Sequence, residues 1–283
     1  MQLHNTSRRR TIQPTLCRVP IFSKAQITAN KPAFIFTLHS CYNPFMYYKH
    51  IKKALFMDRP NRFIAHVQLD GKTETVHVKN TGRCQELLLP EATVYLEESE
   101  NPLRKTKFDL IAVEKTAGSR EKLLINMDSQ APNKVAAEWI GQNKKYFPDL
   151  KLLKAEYSLG DSRFDFYAEY NDKSGTSHKM LIEVKGCTLE RDGVALFPDA
   201  PTLRGLKHVR ELTALTKRGQ YESMILLIIQ MTGCKYFTPN RQTHADFANA
   251  LKEAEKAGVK ILAIECQVQP DSLEAKDEIE VRL

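Results

Sequence analysis

Residues 163–170 read Arg163-Phe164-Asp165-Phe166-Tyr167-Ala168-Glu169-Tyr170, and residues 180–185 read Met180-Leu181-Ile182-Glu183-Val184-Lys185. Both stretches have the two-residue period of a strand. In the first, Arg163, Asp165, Tyr167 and Glu169 share one face, and Phe164, Phe166, Ala168 and Tyr170 take the other. In the second, Leu181, Glu183 and Lys185 lie together opposite Ile182 and Val184. The polar segment 171–177 between them suits a hairpin turn. Pairing the two strands brings Asp165 near Glu183 and Lys185.

Two carboxylates on adjacent strands, with a lysine two residues on, are suited to hydrolysing a phosphodiester. The acids Asp165 and Glu183 would hold Mg2+, or Mn2+ in its place, since hard divalent cations take oxygen ligands. The metal polarises the phosphate and acidifies a water, and Lys185 orients that water or meets the developing charge. Glu138, on the helix upstream, is the candidate third carboxylate and metal ligand. The same residues would equally make an ordinary cross-strand ion pair.

Outward from this hairpin, strands are expected at 152–157, 224–229 and 259–265, and helices at 132–144, 202–217 and 245–257. The last helix should stop at Gly258. Strands alternating with helices imply a mixed sheet with helices on its faces, so 127–283 reads as a mixed α/β domain. The helix at 202–217 places Arg204, Lys207, His208 and Glu211 on one face, close to the carboxylate strands. Its cations suit a nucleic-acid backbone.

Upstream, five short strands are expected at 62–69, 73–79, 93–97, 108–114 and 122–126. Asp70-Gly71 is a hairpin turn between the first two. Five strands with such punctuation suggest a small OB-like barrel over 57–126. Arg62, His66, Lys79 and Arg83 would offer phosphate contacts. The loop 79–83 is the favoured contact point, with Arg83 and, on the hairpin, Arg163 joining the cationic set.

The net charge of +8 does not describe this folded part. Residues 1–56 carry nine of the 42 Lys and Arg and none of the 34 acids, so the remainder sums to −1. The extension reads as a transit-type leader, a basic arm, or residues upstream of a working start at Met57, which lies just before the first well-patterned strand. None of these gives it an independent fold. The six cysteines are scattered without a CxxC pair, which argues against zinc ribbons and thioredoxin-type sites. They point to reduced thiols and a cytoplasmic protein, with Cys187 and Cys234 as core filler. No stretch approaches the ~18 apolar residues of a membrane span. Walker and GxGxxG loops are lacking, so nothing supports a small-molecule enzyme.

The sequence also resembles the sugar fermentation stimulation protein (SfsA) family. The resemblance is carried by 80–82 (Asn-Thr-Gly), by Arg163-Phe164-Asp165-Phe166, and by Ile182-Glu183-Val184-Lys185. It is carried most specifically by 197–212, which begins Phe197-Pro198-Asp199-Ala200-Pro201-Thr202. Phe237-Thr238-Pro239-Asn240-Arg241 and 258–264 also fit, for a coverage of about 62–283. It implies an N-terminal OB-like barrel and a C-terminal PD-(D/E)xK nuclease-like domain, in which Asp165, Glu183 and Lys185 match the core and Glu138 the helix acid. It further implies DNA binding, with a regulatory link to sugar (maltose) metabolism. Three positions depart from the family pattern: Leu203 replaces an acid, Gly186-Cys187 follows the lysine, and Glu91 replaces a glycine. Two functions therefore compete, a Mg2+-dependent nuclease and a non-catalytic DNA-binding regulator on the same scaffold.

Overall fold

A computed structural model describes residues 35–36 (backbone only), 46–80, 82–116 and 122–283. The first strands are β1 (Ile35–Phe36), β2 (Met46–Tyr47), β3 (Ile51–Asn61), β4 (Ile64–Leu69), β5 (Lys72–Val78), β6 (Thr93–Glu98), β7 (Phe108–Lys115) and β8 (Leu123–Asn126). Then follow α1 (Ala131–Gln142), β9 (Asp149–Leu159), β10 (Ser162–Asn171), β11 (Ser177–Cys187), β12 (Leu189–Arg191), β13 (Val194–Phe197) and α2 (Leu203–Lys217). The chain ends with β14 (Glu222–Ile229), β15 (Tyr236–Pro239), α3 (Ala245–Lys256), β16 (Lys260–Gln269) and β17 (Ser272–Val281).

The apolar run 224–229 forms the centre of the larger sheet. Every residue of β14 from Ser223 on is buried. It is flanked in parallel by β11 and β16, with Ile182 opposite Met224 and Met224 opposite Lys260. A strand covered on both faces needs no alternation, hence the unbroken hydrophobic run. On one face α1 packs Val135, Ala136 and Ile140 against Phe166, Ile182, Val184, Leu226 and Ile228. On the other, Leu206, Val209 and Leu212 of α2 and Phe247 and Leu251 of α3 pack against Phe164, Leu181 and Ile225. Each such fully buried side chain contributes roughly 1.5–3 kcal/mol. The full order is β1-β9-β10-β11-β14-β16-β17-β15-β13-β12, with β2 on β17.

The helix ends follow their local chemistry. Thr202 Oγ1 accepts from Gly205 N at 3.0 Å and caps α2. Pro132 sits in the first turn of α1. After α3, Gly258 adopts φ +94° and lets Val259 N reach Ala254 O at 3.0 Å, the expected stop.

The N-terminal domain is an OB barrel of five strands, but not the expected five. The ring runs β3-β4-β5-β7-β6 and back to β3, closed by the parallel β5–β7 pairing. The expected strand at 122–126 is β8, which hangs off β7 outside the ring. The missing member is β3, which crosses the expected boundary at 56/57 and buries Ala54 and Phe56 in the barrel. Its alternation is hidden by Lys52, Lys53, Asp58 and Arg59. Within the supposed extension, residues 46–56 are thus part of the fold, with Met46 and Tyr48 buried in the C-terminal domain. Residues 1–34 and 37–45 lie outside those described. The barrel core continues without a break into Cys187, Leu227, Ile229 and Phe237 of the large sheet and Cys234 between β14 and β15.

Candidate functional site

The two strands that carry the site pair only from Phe166↔Ile182 onward. Before that point β10 is held by β9 alone and parts from β11. Phe164 accordingly packs on the α2 side and Phe166 on the α1 side, although a strict two-residue period puts both on one face. Asp165 fills the split. Its Oδ2 accepts from Val184 N at 2.8 Å, standing in for a ladder partner, and its Oδ1 accepts from Asn133 Nδ2 on α1 at 3.0 Å.

Glu183 is nearly fully buried, and its Oε1 is hydrogen-bonded by both Lys185 Nζ and His208 Nδ1. Its Oε2 is buried with no partner. Burial alone would raise the Glu183 carboxyl, but His208 and Lys185 outweigh it and hold the group below its ordinary range. Asp165 goes the other way. Burial and then the neighbouring Glu183 raise it, against Lys185 and the Val184 and Asn133 hydrogen bonds. Two buried acids sharing one site are thereby pushed apart in proton affinity.

Asp165, Glu183 and Lys185 come together as the hairpin pattern requires, and three further placements differ from the reading of the sequence. His208 lies on the inward side of α2, buried on Glu183, and not on an outer phosphate-binding face with Arg204 and Lys207. Lys79, an expected phosphate contact, is enclosed by Glu97, Asp109 and Asp128 at 3.1, 3.4 and 3.5 Å. Glu138 is absent from the carboxylate pair. Its charged neighbours are Lys134 and Glu274, because a helix turns 100° per residue and Asn133 is the α1 residue that faces Asp165. Among the described residues no cluster of three or more His, Cys, Asp or Glu could hold a metal. The pair alone still fits Mg2+, which keeps several waters and binds through one or two carboxylates. The unpartnered buried oxygen of Glu183 is the observation that favours such a group.

Of the expected cations, Arg204 and Lys207 are exposed on α2, with Lys207 3.5 Å from Glu211. Arg163 is exposed and 3.5 Å from Glu156. Arg83 is exposed in the loop after β5, whose position 81 lies outside the described residues. That loop is clamped by a residue that sequence reasoning missed. Arg59 donates to the carbonyls of Gly82, Arg83, Arg62 and Asn80 at 2.7–2.9 Å. Asn133 was likewise missed, as nothing in a helix pattern marks one polar side chain as an aspartate's partner.

Two family models match this chain: "SfsA N-terminal OB domain" over residues 57–122 and "Sugar fermentation stimulation protein RE domain" over 130–272. The sugar fermentation stimulation protein homolog of Desulfitobacterium hafniense strain Y51 is 54% identical over 238 residues, covering 84% of this chain and 99% of the relative. This chain belongs to the SfsA family. The homolog of Ruminiclostridium cellulolyticum is 51% identical, over 84% of this chain and all of the relative. The structure of Pyrococcus furiosus SfsA in complex with Ca2+ superposes with a TM-score of 0.72 at 26% identity, covering 84% of this chain and 99% of that one.

Two of the three departures, Gly186 and Glu91, have physical readings, as does the matching Gly82. A Cβ on Gly186 would come within 2.5 Å of Gln230 Oε1 and 2.6 Å of Pro132 Cγ, so the small residue after Lys185 is what lets α1 approach the site. A Cβ on Gly82 would likewise strike Asp199 Oδ2, which presses the barrel loop against the segment leading into α2. Glu91 has φ +66°, a left-handed conformation that explains why glycine was expected there. Leu203 stands exposed at the start of α2.

Glu138 has a consequence for stability. Burial lifts its carboxyl to about 7, with Lys134 opposing and Glu274 adding. A raised folded value favours the protonated folded state, so stability falls as pH rises from the unfolded value of 4.5 through about 7. Glu138→Gln is expected to raise the Tm at pH 8 and leave it nearly unchanged at pH 4.5. Thermal unfolding at both pH values checks this, and an equal gain at both would remove the buried charge as the cause.

Proposed function

We propose that this SfsA chain is a nucleic-acid-binding, Mg2+- or Mn2+-dependent phosphodiesterase, with DNA the favoured substrate. The observation that carries the reading is the unpartnered buried Oε2 of Glu183, held beside Lys185 and across from Asp165. The OB and RE family models support it, as does the Ca2+ bound by the Pyrococcus furiosus relative. Asp165 and Glu183 would hold the cation, which when bound supplies a Lewis acid for the phosphoryl oxygen and a more acidic water. His208 fixes the Glu183 carboxylate by Oε1 and leaves Oε2 for that role. Asn133 and Val184 N fix Asp165. Lys185 would neutralise charge as water adds to phosphorus and gives up a proton to solvent, while the P–O ester bond breaks and the departing alkoxide takes a proton from solvent. Arg204 and Lys207, with Arg83 and Arg163, would meet flanking phosphates.

A cytoplasmic setting is part of the proposal, supported by the free, buried Cys84, Cys187, Cys234 and Cys266. No described helix is long and apolar enough to cross a membrane.

The test is a cleavage assay of the full chain on labelled single-stranded and duplex DNA with Mg2+, Mn2+ or EDTA. Metal-dependent cutting is expected, reduced about 100-fold or more in Lys185→Ala. Binding without cutting by wild type under every metal would overturn the catalytic reading and leave a DNA-binding regulator of sugar metabolism on this scaffold.

A further inference from the structure

A groove of about 730 Å3 runs along the outer side of α2, against the β9–β10 turn and the start of β14. It adjoins the carboxylate site without being part of it. Phe164, in its wall, precedes Asp165 and lies 6.2 Å from the His208 ring. Glu211, in the opposite wall, is three residues beyond His208 on α2.

The groove joins three kinds of chemistry. Leu159, Phe164 and Leu215 give it an apolar lining, and Tyr221 adds an aromatic ring, braced edge-on by Tyr167 at 6.3 Å. Glu211 contributes a carboxylate whose Oε1 is 3.5 Å from Lys207, while its Oε2 is buried with no partner. A buried acceptor of that kind is destabilising unless an N–H or O–H reaches it. Lys179 and Arg218 also line the groove, exposed and, among the described residues, in no ion pair. Asp161 is the other acid in the lining. The volume is within the roughly 300–1,000 Å3 range of small-molecule sites.

We propose that this groove binds a nucleotide unit. The base lies among Phe164, Leu215 and Tyr221, an exocyclic amine donates to the Glu211 carboxylate, and the phosphate meets Arg218 and Lys179. A carboxylate accepting from a base amine is a known mode of base reading, and stacking on an aromatic ring tolerates any base. The unit has two sources, a free mononucleotide or one residue of a polynucleotide whose neighbouring phosphate reaches Asp165 and Glu183. Only the polynucleotide source rests on the phosphodiesterase reading above.

The experiment measures binding in EDTA, where cleavage plays no part, on the full Lys185→Ala chain. Titrations use dAMP, dCMP, dGMP, dTMP, their four nucleosides and a short single-stranded oligonucleotide, followed by calorimetry and by NMR shifts of the Tyr221 ring. The amine-bearing nucleotides are expected to bind about tenfold more tightly than dTMP. Glu211→Gln should abolish that preference, and Arg218→Ala should weaken each nucleotide about tenfold without affecting the nucleosides. If only the oligonucleotide binds, and Arg218→Ala weakens it, the polynucleotide is the source. Failure of every mononucleotide to bind at millimolar concentration, together with oligonucleotide affinity indifferent to Arg218→Ala and Glu211→Gln, overturns the proposal. That result would leave the cleavage assay untouched.

Discussion

Glu183→Gln is expected to lose Mg2+ affinity by at least about tenfold and to lower cleavage by about 10²–10³-fold. The amide keeps the shape of the carboxylate, and its oxygen can still accept from His208 and Lys185. It removes the charge that faces both Lys185 and the cation, and an amide nitrogen cannot serve as an oxygen ligand. The loss in rate is of the size seen when one preorganised electrostatic group is deleted from an active site. Lys185→Ala makes a paired comparison, because it leaves both carboxylates and should retain the metal while losing the rate. Calorimetry separates the two. Unchanged Mg2+ affinity in Glu183→Gln would show that the buried oxygen is not a ligand, whatever the cleavage assay reports.

Lys79→Met is expected to destabilise the protein by about 3 kcal/mol. Lys79 Nζ lies among Glu97, Asp109 and Asp128 at 3.1–3.5 Å, with its side chain 18% exposed. Burial opposes its charge, but Asp128, Asp109 and Glu97 more than compensate and raise its proton affinity. Removing the cation leaves three acids facing one another, which is costlier than losing an exposed pair. The effect is not confined to the barrel. Asp128 Oδ1 accepts from Gln130 N at 2.9 Å at the start of α1, and Asn80 Nδ2 donates to Met127 O at 3.1 Å. One turn on, Asn133 holds Asp165. Metal affinity should therefore weaken along with stability.

The same network sets an acid limit. Burial raises the Asp109 carboxyl, but Arg104, His77 and Lys79 bring it down to about 2. A depressed folded value contributes stability above the unfolded value of 3.8 that is lost as pH falls toward about 2. In Lys79→Met the folded Asp109 value rises toward the unfolded one, so this acid loss should shrink and the deficit relative to wild type should narrow at low pH. Urea unfolding at pH 7 and pH 4 checks both points. A midpoint unchanged at pH 7 would mean the three acids relax into solvent without cost.

Much of this architecture was legible because each element carries its own periodicity. β14 announced itself by an unbroken apolar run, α3 by its glycine stop, and the β10–β11 hairpin by alternation strong enough to bring Asp165, Glu183 and Lys185 together. β3 and β17 were not legible. In β3, only Ala54 and Phe56 turn inward among charged neighbours. In β17, Leu273 is the one fully covered residue of ten. Both strands owe their place to partners: β3 to β4 and β6, β17 to β16 and β15. A strand held by its neighbours' backbone needs little pattern of its own.

The site divides in the same way. Which acids and lysine the hairpin brings together follows from the chain, because two-residue alternation places Glu183 and Lys185 on one face of their strand and Asp165 on the strand beside it. Which groups surround them does not. The parting of β10 from β11, the turn of α1 that selects Asn133 over Glu138, and the inward rotation of α2 that buries His208 on Glu183 are set by how helices seat on the sheet. The clamp of Arg59 on the loop after β5 and the enclosure of Lys79 depend on segments far apart in sequence meeting at one place. Local periodicity records only an element's own inside and outside, so the sequence by itself determined the acids and the lysine, and packing alone decided which oxygen of Glu183 was left without a partner.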